Sequence, residues 1–564
     1  MPGVGGRGAR GNSDALEAKP RRIIGENEVH IVLVRPLGTD VRPLCEHLES
    51  VFAVFGYQTT VIKMSSFIDR LDPSLPGSPG SYHYYKARMK AGNDLRDNYG
   101  GGILALFSVN EVRRHRLELL EAGHDRLLFI HDSAMHSDEV LMFRQCYDRL
   151  VFVISINRSE AKRRARLMER LRNAGTSNED KIKEYASELI AQDLGRRRDG
   201  NKRRLSFEET FVHADVFLDG STKYYHLDSD SRESRHPIVR RFVRQLFSYP
   251  HGVPTWPESM MAHAFTAATA SGCVSRTVGA AIATETGELL SLGRNDVPKA
   301  GGGLYLGDEH GGAGDAQHTF SSSDFRILDQ TVHGADSNDL VKLEMLQELF
   351  ENAATDRIVS LAAPESLLER LLGSNRVRQS RFFEVIAYGR TVHAEMDAIT
   401  TAARRGLELG GSTLYTTTFP CHECARHIVA AGIKKVIFVQ PYPKSRVGQL
   451  HSDSVELIDD PDTEPTADKV TFMPFSGIAP RSVGTLYSFE ARKTDDPGQI
   501  GSYGRVVKWE PGGTWTLRGS IAGTTMAAPL RGKAIQAAEE LAAAAVSKAE
   551  EVAAKSAVLK DQPA

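Results

Sequence analysis

The stretch from Thr391 to Cys424 constrains this chain more than any other. It opens with His393-Ala394-Glu395 and closes with Pro420-Cys421-His422-Glu423-Cys424. One imidazole and two thiolates suit a tetrahedral zinc ion whose fourth position is left for water. His393, Cys421 and Cys424 are therefore the candidate ligands. Glu395, two residues beyond the first of them, is the candidate proton carrier. The local sequence agrees with this reading. Residues 393–405 contain no Gly or Pro and predict a helix start. Ser412–Thr417 is rich in β-formers after a Gly-Gly breaker and predicts a strand. Pro420 stands at a helix entrance, with Cys421 and Cys424 three apart on one face of a helix running to Ala431, and Lys435–Gln440 predicts the next strand. Two helix N-termini thereby converge on one metal, where their positive dipole ends favour thiolate.

A chain of 564 residues has material for two or three domains. A net charge of −2 with 25% charged residues gives no global basic field, which disfavours long nucleic acids as substrates. Apart from the two cysteines of the motif, Cys45, Cys146 and Cys273 are far apart in sequence, a usage that fits a reducing compartment without a disulfide framework. No apolar run approaches the length of a membrane span and no signal-peptide core is present, so a cytoplasmic location is expected.

In chain order, residues 1–24 are Gly- and Arg-rich without hydrophobic period and are expected to be disordered. Residues 25–250 alternate β-like and α-like segments. Strands are predicted at Val29–Val34, Ile103–Phe107, Arg126–Ile130, Arg149–Ile156 and Ala214–Leu218, with helices at Val41–Phe55 and Ser159–Arg172, the pattern of a doubly wound α/β domain. His131-Asp132 closes one of these strands, where open sheets place functional acids. Arg35-Pro36-Leu37-Gly38-Thr39-Asp40 forms the turn after the first strand, a phosphate-loop context that makes Gly38 and Thr39 candidate nucleotide contacts. The G-x-x-x-x-G-K-[ST] pattern is absent, however, and there is no Lys to reach a phosphate. Together with residues 138–172 and the basic run Arg196–Arg204 in a lid-like position, this half resembles the P-loop nucleoside and nucleotide kinases. The missing Lys makes a regulatory or structural role the expectation for it.

The Pro-rich segment Pro250–Pro257 predicts the domain boundary. The second domain, 251–495, begins with a helix from Glu258 to Ala270 and a hairpin, Thr277–Ala283 and Glu288–Leu292, around Thr286-Gly287. Ser275-Arg276-x-Val278-Gly279-Ala280, then Gly293-x-Asn295-x-x-Pro298, His-Ala-Glu and Pro-Cys-x-x-Cys together resemble the deoxycytidylate deaminase family; H-x-E…P-C-x-x-C is the signature of zinc nucleobase deaminases. The resemblance implies a three-layer α/β/α fold of the cytidine deaminase type, bound Zn2+, and a sugar contact from Asn295. A carboxamide at a strand end also caps turns, and that alternative stays open. Lys444 and Arg446, after the strand that ends near the zinc, are candidates for substrate phosphates. An insertion at about 301–389 begins Gly301-Gly302-Gly303-Leu304-Tyr305 and contains an amphipathic piece, Ser337–Ala353, of core or oligomer-contact type. Asp308, His310 and His318 within it lack a metal-ligand spacing.

The domain combination, the Gly-Gly-Gly-Leu-Tyr insertion and Pro441-Tyr442-Pro443-Lys444-Ser445…Leu450-His451-x-Asp453-Ser454 resemble the bacterial anti-phage dCTP deaminases. That resemblance implies hydrolytic deamination of deoxycytidine nucleotides, depletion of an infecting phage's dCTP pool, a homo-oligomer, and control by a regulatory nucleotide or an inhibitory RNA. A housekeeping dCMP deaminase and a polynucleotide deaminase are the alternatives. A riboflavin-pathway deaminase is disfavoured by the lack of a reductase-like half after the motif. Residues 496–564 read as an extension whose Ala-rich end has helix propensity, buries little and is expected to be mobile.

Overall fold

The computed structural model describes residues 27–194, 206–220, 236–247, 249, 252–273, 276–305, 337–356, 374, 380, 382, 385, 387–441, 445–459, 463–487, 493–494, 505–506 and 528–560. Two six-stranded sheets organise it. The first takes β1 (Glu28–Val34), β2 (Gln58–Lys63), β3 (Leu127–Asp132), β4 (Val151–Asn157) and β5 (Val216–Asp219). These run parallel in the order β5-β4-β1-β3-β2. Central β1 is buried at every position, as a parallel strand covered on both faces should be. The second sheet has the order β10-β11-β9-β8-β6-β7, built from β6 (Gly279–Ala283), β7 (Leu289–Arg294), β8 (Thr413–Thr418), β9 (Lys435–Gln440), β10 (Val455–Leu457) and β11 (Val470–Pro474). The predicted hairpin is β6–β7, its turn made by Gly287 at φ +88°.

One sequence expectation fails outright. Ile103–Phe107 is the first turn and a half of a helix, Ile103–Glu121, with Ile103, Leu104, Ala105 and Phe107 buried. A short apolar run does not by itself distinguish a buried strand from a buried helix. Here the run continues to Glu121 without a breaker, after Gly100-Gly101-Gly102. The exposed strand β2, by contrast, carries no apolar pattern that would announce it.

The two halves share one core. Along β6 the alternation sends Ala280 and Ile282 to the face of the zinc motif, whereas Ala281 and Ala283 join a cluster continuous with Val216, Phe217 and Met261. A short strand, β12 (Gly477–Ile478), leaves the second half and pairs antiparallel with β5, completing the first sheet. Glu258 fastens the junction. In the helix Trp256–Ala268 it completes a capping box with Thr255, accepts from both terminal nitrogens of Arg241 at 2.9 and 2.7 Å, and accepts the Ile478 amide at 2.8 Å.

The C-terminal segment buries more than its alanines suggest. Ala528–Lys560 is a helix packed on Ile103–Glu121, with Ile535, Ala542, Val546 and Ala549 buried. Between them Glu539 accepts from Arg116 Nη1 at 2.7 and 2.8 Å and from the Tyr147 hydroxyl at 3.1 Å. Arg116 also donates to both carboxylate oxygens of Glu28, at 2.7 and 2.6 Å. Burial raises the Glu539 carboxyl above its ordinary range. For Glu28 the same penalty is overcome by Arg116 and the His30 hydrogen bond, which hold it well below.

Removing one partner of a buried charged network is costly because the other groups stay desolvated. Glu539→Ala is expected to destabilise by roughly 3 kcal/mol. Glu539→Gln, which keeps an acceptor, should lose less; urea unfolding of the two variants checks the order. Burial also pushes His47 and His236 down to about 4. Their folded pKa values lie below the unfolded ones, so the stability they contribute is present above about pH 6.5 and is lost as pH falls through 4. Melting temperature should decline over that window, and less steeply in His47→Gln.

Candidate zinc centre

His393 is the N-cap of the helix Ala394–Arg404, and Cys421 is the N-cap of the helix His422–Ala430. Both caps have extended backbone, at φ −75°, ψ 155° and φ −71°, ψ 167°, so each turns its side chain across a helix entrance. The first helix is set against the sheet by β7. The Arg294 amide donates to Asp397 at 3.1 Å, the Ser291 hydroxyl donates to the Ala398 carbonyl at 2.9 Å, and Asp296 pairs with Val392, next to His393. The second is held by the segment after β9. Ser445 donates to the Pro420 carbonyl at 2.8 Å, and His451 Nε2 lies 3.0 Å from the His422 carbonyl.

These supports bring the candidate ligands together. His393 Nδ1 lies 3.3 Å from both Cys421 Sγ and Cys424 Sγ, and the three ligand atoms fall within 4.8 Å of one another. Glu395 is buried, with Oε2 3.6 Å from Cys424 Sγ. Burial pushes its carboxyl up to about 7, where it can both take and give a proton at neutral pH. Hydrogen bonds from Cys424 and His393 pull the Cys421 thiol down to about 4, and the bond to Cys421 raises His393 to about 9. Two sulfurs and one imidazole nitrogen at this spacing fit zinc, and three protein ligands leave a coordination position for water.

The remaining site residues fall out differently. Asn295 is buried, and its side chain is engaged by the fold: Oδ1 accepts from the Val278 amide at 2.6 Å and the Ser271 hydroxyl at 3.0 Å, while Nδ2 donates to the Arg276 carbonyl at 2.6 Å. That is the turn-capping arrangement which sequence left open beside sugar contact. Arg446 is exposed at the start of the short helix Val447–Leu450, just past β9. Lys444 lies outside the described residues, as do the basic run Arg196–Arg204 and Asp308, His310 and His318.

Gly38 and Thr39 form a turn closed on the chain itself. The Leu37 amide donates to Asp193 Oδ2 at 2.8 Å, and Arg163 donates to the same oxygen at 2.8 Å and to the Leu37 carbonyl at 3.0 Å. Asp132, expected as a functional acid, is paired with Arg35 at 2.7 Å. Sequence reasoning missed Asp397, Ser445 and His451 as supports. The last two stand in a motif quoted for its resemblance, while Asp397 had only its place two residues after Glu395 as a signal.

Residues 254–440 match the cytidine and deoxycytidylate deaminase zinc-binding region, so the second half carries a zinc-binding domain of that type, and His393, Cys421 and Cys424 within it form a group that could hold the metal. The deoxycytidylate deaminases of Enterobacteria phages T2 and T4 are each 44% identical to this chain over 57 residues, 10% of this chain and 30% of theirs. The deoxycytidylate deaminase of Mus musculus is 42% identical over 76 residues, 14% of this chain and 40% of that one. The chain thus spans about a third of the length of the curated relatives it matches. Among solved structures, the apo dCMP deaminase of cyanophage S-TIM5 aligns over 40% of this chain and 100% of its own at 15% identity, with a TM-score of 0.20. Among the described residues no helix is long and apolar enough to cross a membrane.

Ligand and non-ligand roles are separable. Glu395→Ala is expected to keep stoichiometric zinc, whereas Cys421→Ala and Cys424→Ala lose it. Metal analysis after dialysis checks this, and equal loss in all three would remove Glu395 from its non-ligand role.

Proposed function

We propose that the chain is a zinc-dependent deaminase of deoxycytidine nucleotides, converting dCTP, dCMP or both to the deoxyuridine nucleotide and ammonia. The observation that carries the reading is the buried Glu395 carboxylate beside a His-Cys-Cys cluster, an acid–base group placed next to a metal position without joining its ligand atoms. Zinc, when bound, supplies a water whose pKa is lowered toward neutrality. Glu395 takes a proton from the nucleophilic water and delivers it to N3 of cytosine as C4 is attacked. It then takes the proton of the new C4 hydroxyl and gives it to the amine, so that the C4–N bond breaks, ammonia leaves and the C4 carbonyl forms. With its carboxyl pushed up to about 7 by burial, neither transfer is strongly uphill at neutral pH. His393, Cys421 and Cys424 hold the metal. Arg446, together with Lys444, is assigned to the substrate's phosphates, and Asn295 to the sugar side of the pocket through its second amide hydrogen.

The biological setting we propose is defence, in which removal of dCTP starves an infecting phage of a DNA precursor. The resemblance in sequence of the α/β first half to nucleotide kinases, in one chain with a deaminase-type zinc domain, supports it, and we assign control by a nucleotide or an RNA to that half. In the absence of a global basic field, free nucleotides are favoured over polynucleotides as substrates.

Purified protein with zinc, offered dCTP, dCMP and single-stranded DNA separately, tests the reading through ammonia release and product mass. Turnover of dCTP is the expected result, and Glu395→Ala should reduce it by at least roughly 100-fold. Turnover of dCMP alone would replace the defence role with pyrimidine metabolism, and turnover of DNA alone would overturn the substrate class.

A further inference from the structure

We propose that Ser445 and His451 are positioning residues that set the Cys421 thiolate for metal binding. This inference rests on reading His393, Cys421 and Cys424 as zinc ligands. Cys421 is the N-cap of its helix and is preceded by Pro420, which has no N–H with which to anchor the turn. Its Sγ accepts the Cys424 amide at 3.4 Å, an ordinary length for a sulfur acceptor, which ties the thiol to the first turn of its own helix. The Pro420 and His422 carbonyls, on either side of Cys421, are held from outside the helix. The Ser445 hydroxyl donates to the Pro420 carbonyl at 2.8 Å, fixing the peptide that enters Cys421. His451 Nε2 sits 3.0 Å from the His422 carbonyl. A carbonyl only accepts, so this nitrogen carries the proton and the ring is held in one tautomer. Cys421 lies between the two fixed carbonyls.

Both donors belong to one segment that is itself immobilised. Between them, Val447 is buried in the same cluster as Cys421 and Cys424. The His451 amide donates to the Val447 carbonyl at 2.9 Å, and the His451 carbonyl accepts from Val455 at 2.7 Å at the start of β10. The segment therefore transfers the rigidity of the sheet edge to the ligand. The entry of His393 is fixed separately, by the Arg294 amide donating to Asp397 and by the backbone bridge between Asp296 and Val392. Partners of metal ligands that fix orientation typically contribute 10- to 100-fold in affinity.

The test uses the full-length chain with zinc competed by a chromophoric chelator and with cobalt(II) as a spectroscopic substitute. Ser445→Ala and His451→Ala are each expected to weaken zinc about 10- to 100-fold. They should also shift the cobalt d–d bands, while far-UV circular dichroism and the melting point of the metal-free protein stay at wild-type values. His451→Gln, whose amide can still donate, should recover part of the affinity. Unchanged zinc affinity and an unchanged cobalt spectrum in both alanine variants would overturn the proposal. So would a fall in metal-free stability that accounts for the whole effect, since that is a merely structural role. Should a His451 variant fail to fold, Ser445→Ala, which removes one hydroxyl, decides by itself. Wild-type protein that takes up no zinc, or shows no thiolate-to-cobalt charge transfer, would instead remove the underlying ligand assignment.

Discussion

A β-carbon at Gly293 would lie 2.1 Å from the Ala394 carbonyl oxygen and 2.4 Å from the Ala398 amide nitrogen. No side chain fits there, so the helix that presents His393 and Glu395 rests directly on the backbone of β7. On the other face of the sheet, a β-carbon at Gly279 would meet the Ala264 carbonyl at 1.9 Å, which brings the helix Trp256–Ala268 equally close. Four of the five residues of β6, Gly-Ala-Ala-Ile-Ala, are small, which suits a strand with the helix Trp256–Ala268 this close to it. The close seat matters because a metal site tolerates little displacement. A helix held off by a larger side chain would carry the imidazole away from two thiolates fixed to a different helix.

The same sheet joins the site to the rest of the chain. Ala281, Ala283, Tyr415 and Ile437 pack into the cluster that fills the first half, so the described residues of the two halves meet through apolar contact. Strand β12 crosses over to pair with β5, and Glu258 binds Arg241 from the first half and Ile478 from the second. A chain cut at the Pro-rich boundary would expose the β5 edge and the apolar face that the second half covers. The Pro-rich segment therefore reads as a boundary in sequence while the packing across it is continuous. A perturbation of the β5 edge meets β12 and Phe475, which are reached directly from β11, the neighbour of β9 in the sheet that carries the zinc motif.

What was legible from sequence follows the strength of local signals. Strands β1, β3 and β4 appear as uninterrupted apolar runs because parallel strands are buried on both faces, and the zinc motif appears because its chemistry requires particular side chains at particular spacings. Ile103–Phe107 misleads because a completely buried helix start has the same composition as a buried strand. The docking of the C-terminal helix was invisible for another reason. Its alanines bury little individually, and its anchor, Glu539, acquires meaning only from Arg116 and Glu28 more than 400 residues earlier. Ser445 and His451 are hidden in the same sense: each hydrogen-bonds a backbone carbonyl, a partner that no sequence pattern records.

The turn at Gly38 shows how a motif-like segment can be put to a different use. Gly38 has φ +89°, and a β-carbon there would lie 2.8 Å from the Arg163 carbonyl oxygen, so glycine is required for conformation and for close packing alike. In a phosphate-binding turn the amides point at an anion supplied by the ligand. Here the Leu37 amide points at Asp193 Oδ2, and Arg163 donates to the same oxygen. The chain thus provides its own anion, and the arginine that would assist a phosphate is already neutralised. Burial raises the Asp193 carboxyl to about 6, so this internal anion is held less comfortably than a surface carboxylate. A nucleotide acting on this half must either displace Asp193 from the Leu37 amide or bind away from the turn. For phosphoryl transfer this turn lacks a lysine, and its Leu37 and Thr39 amides are already engaged by Asp193 and the Pro36 carbonyl.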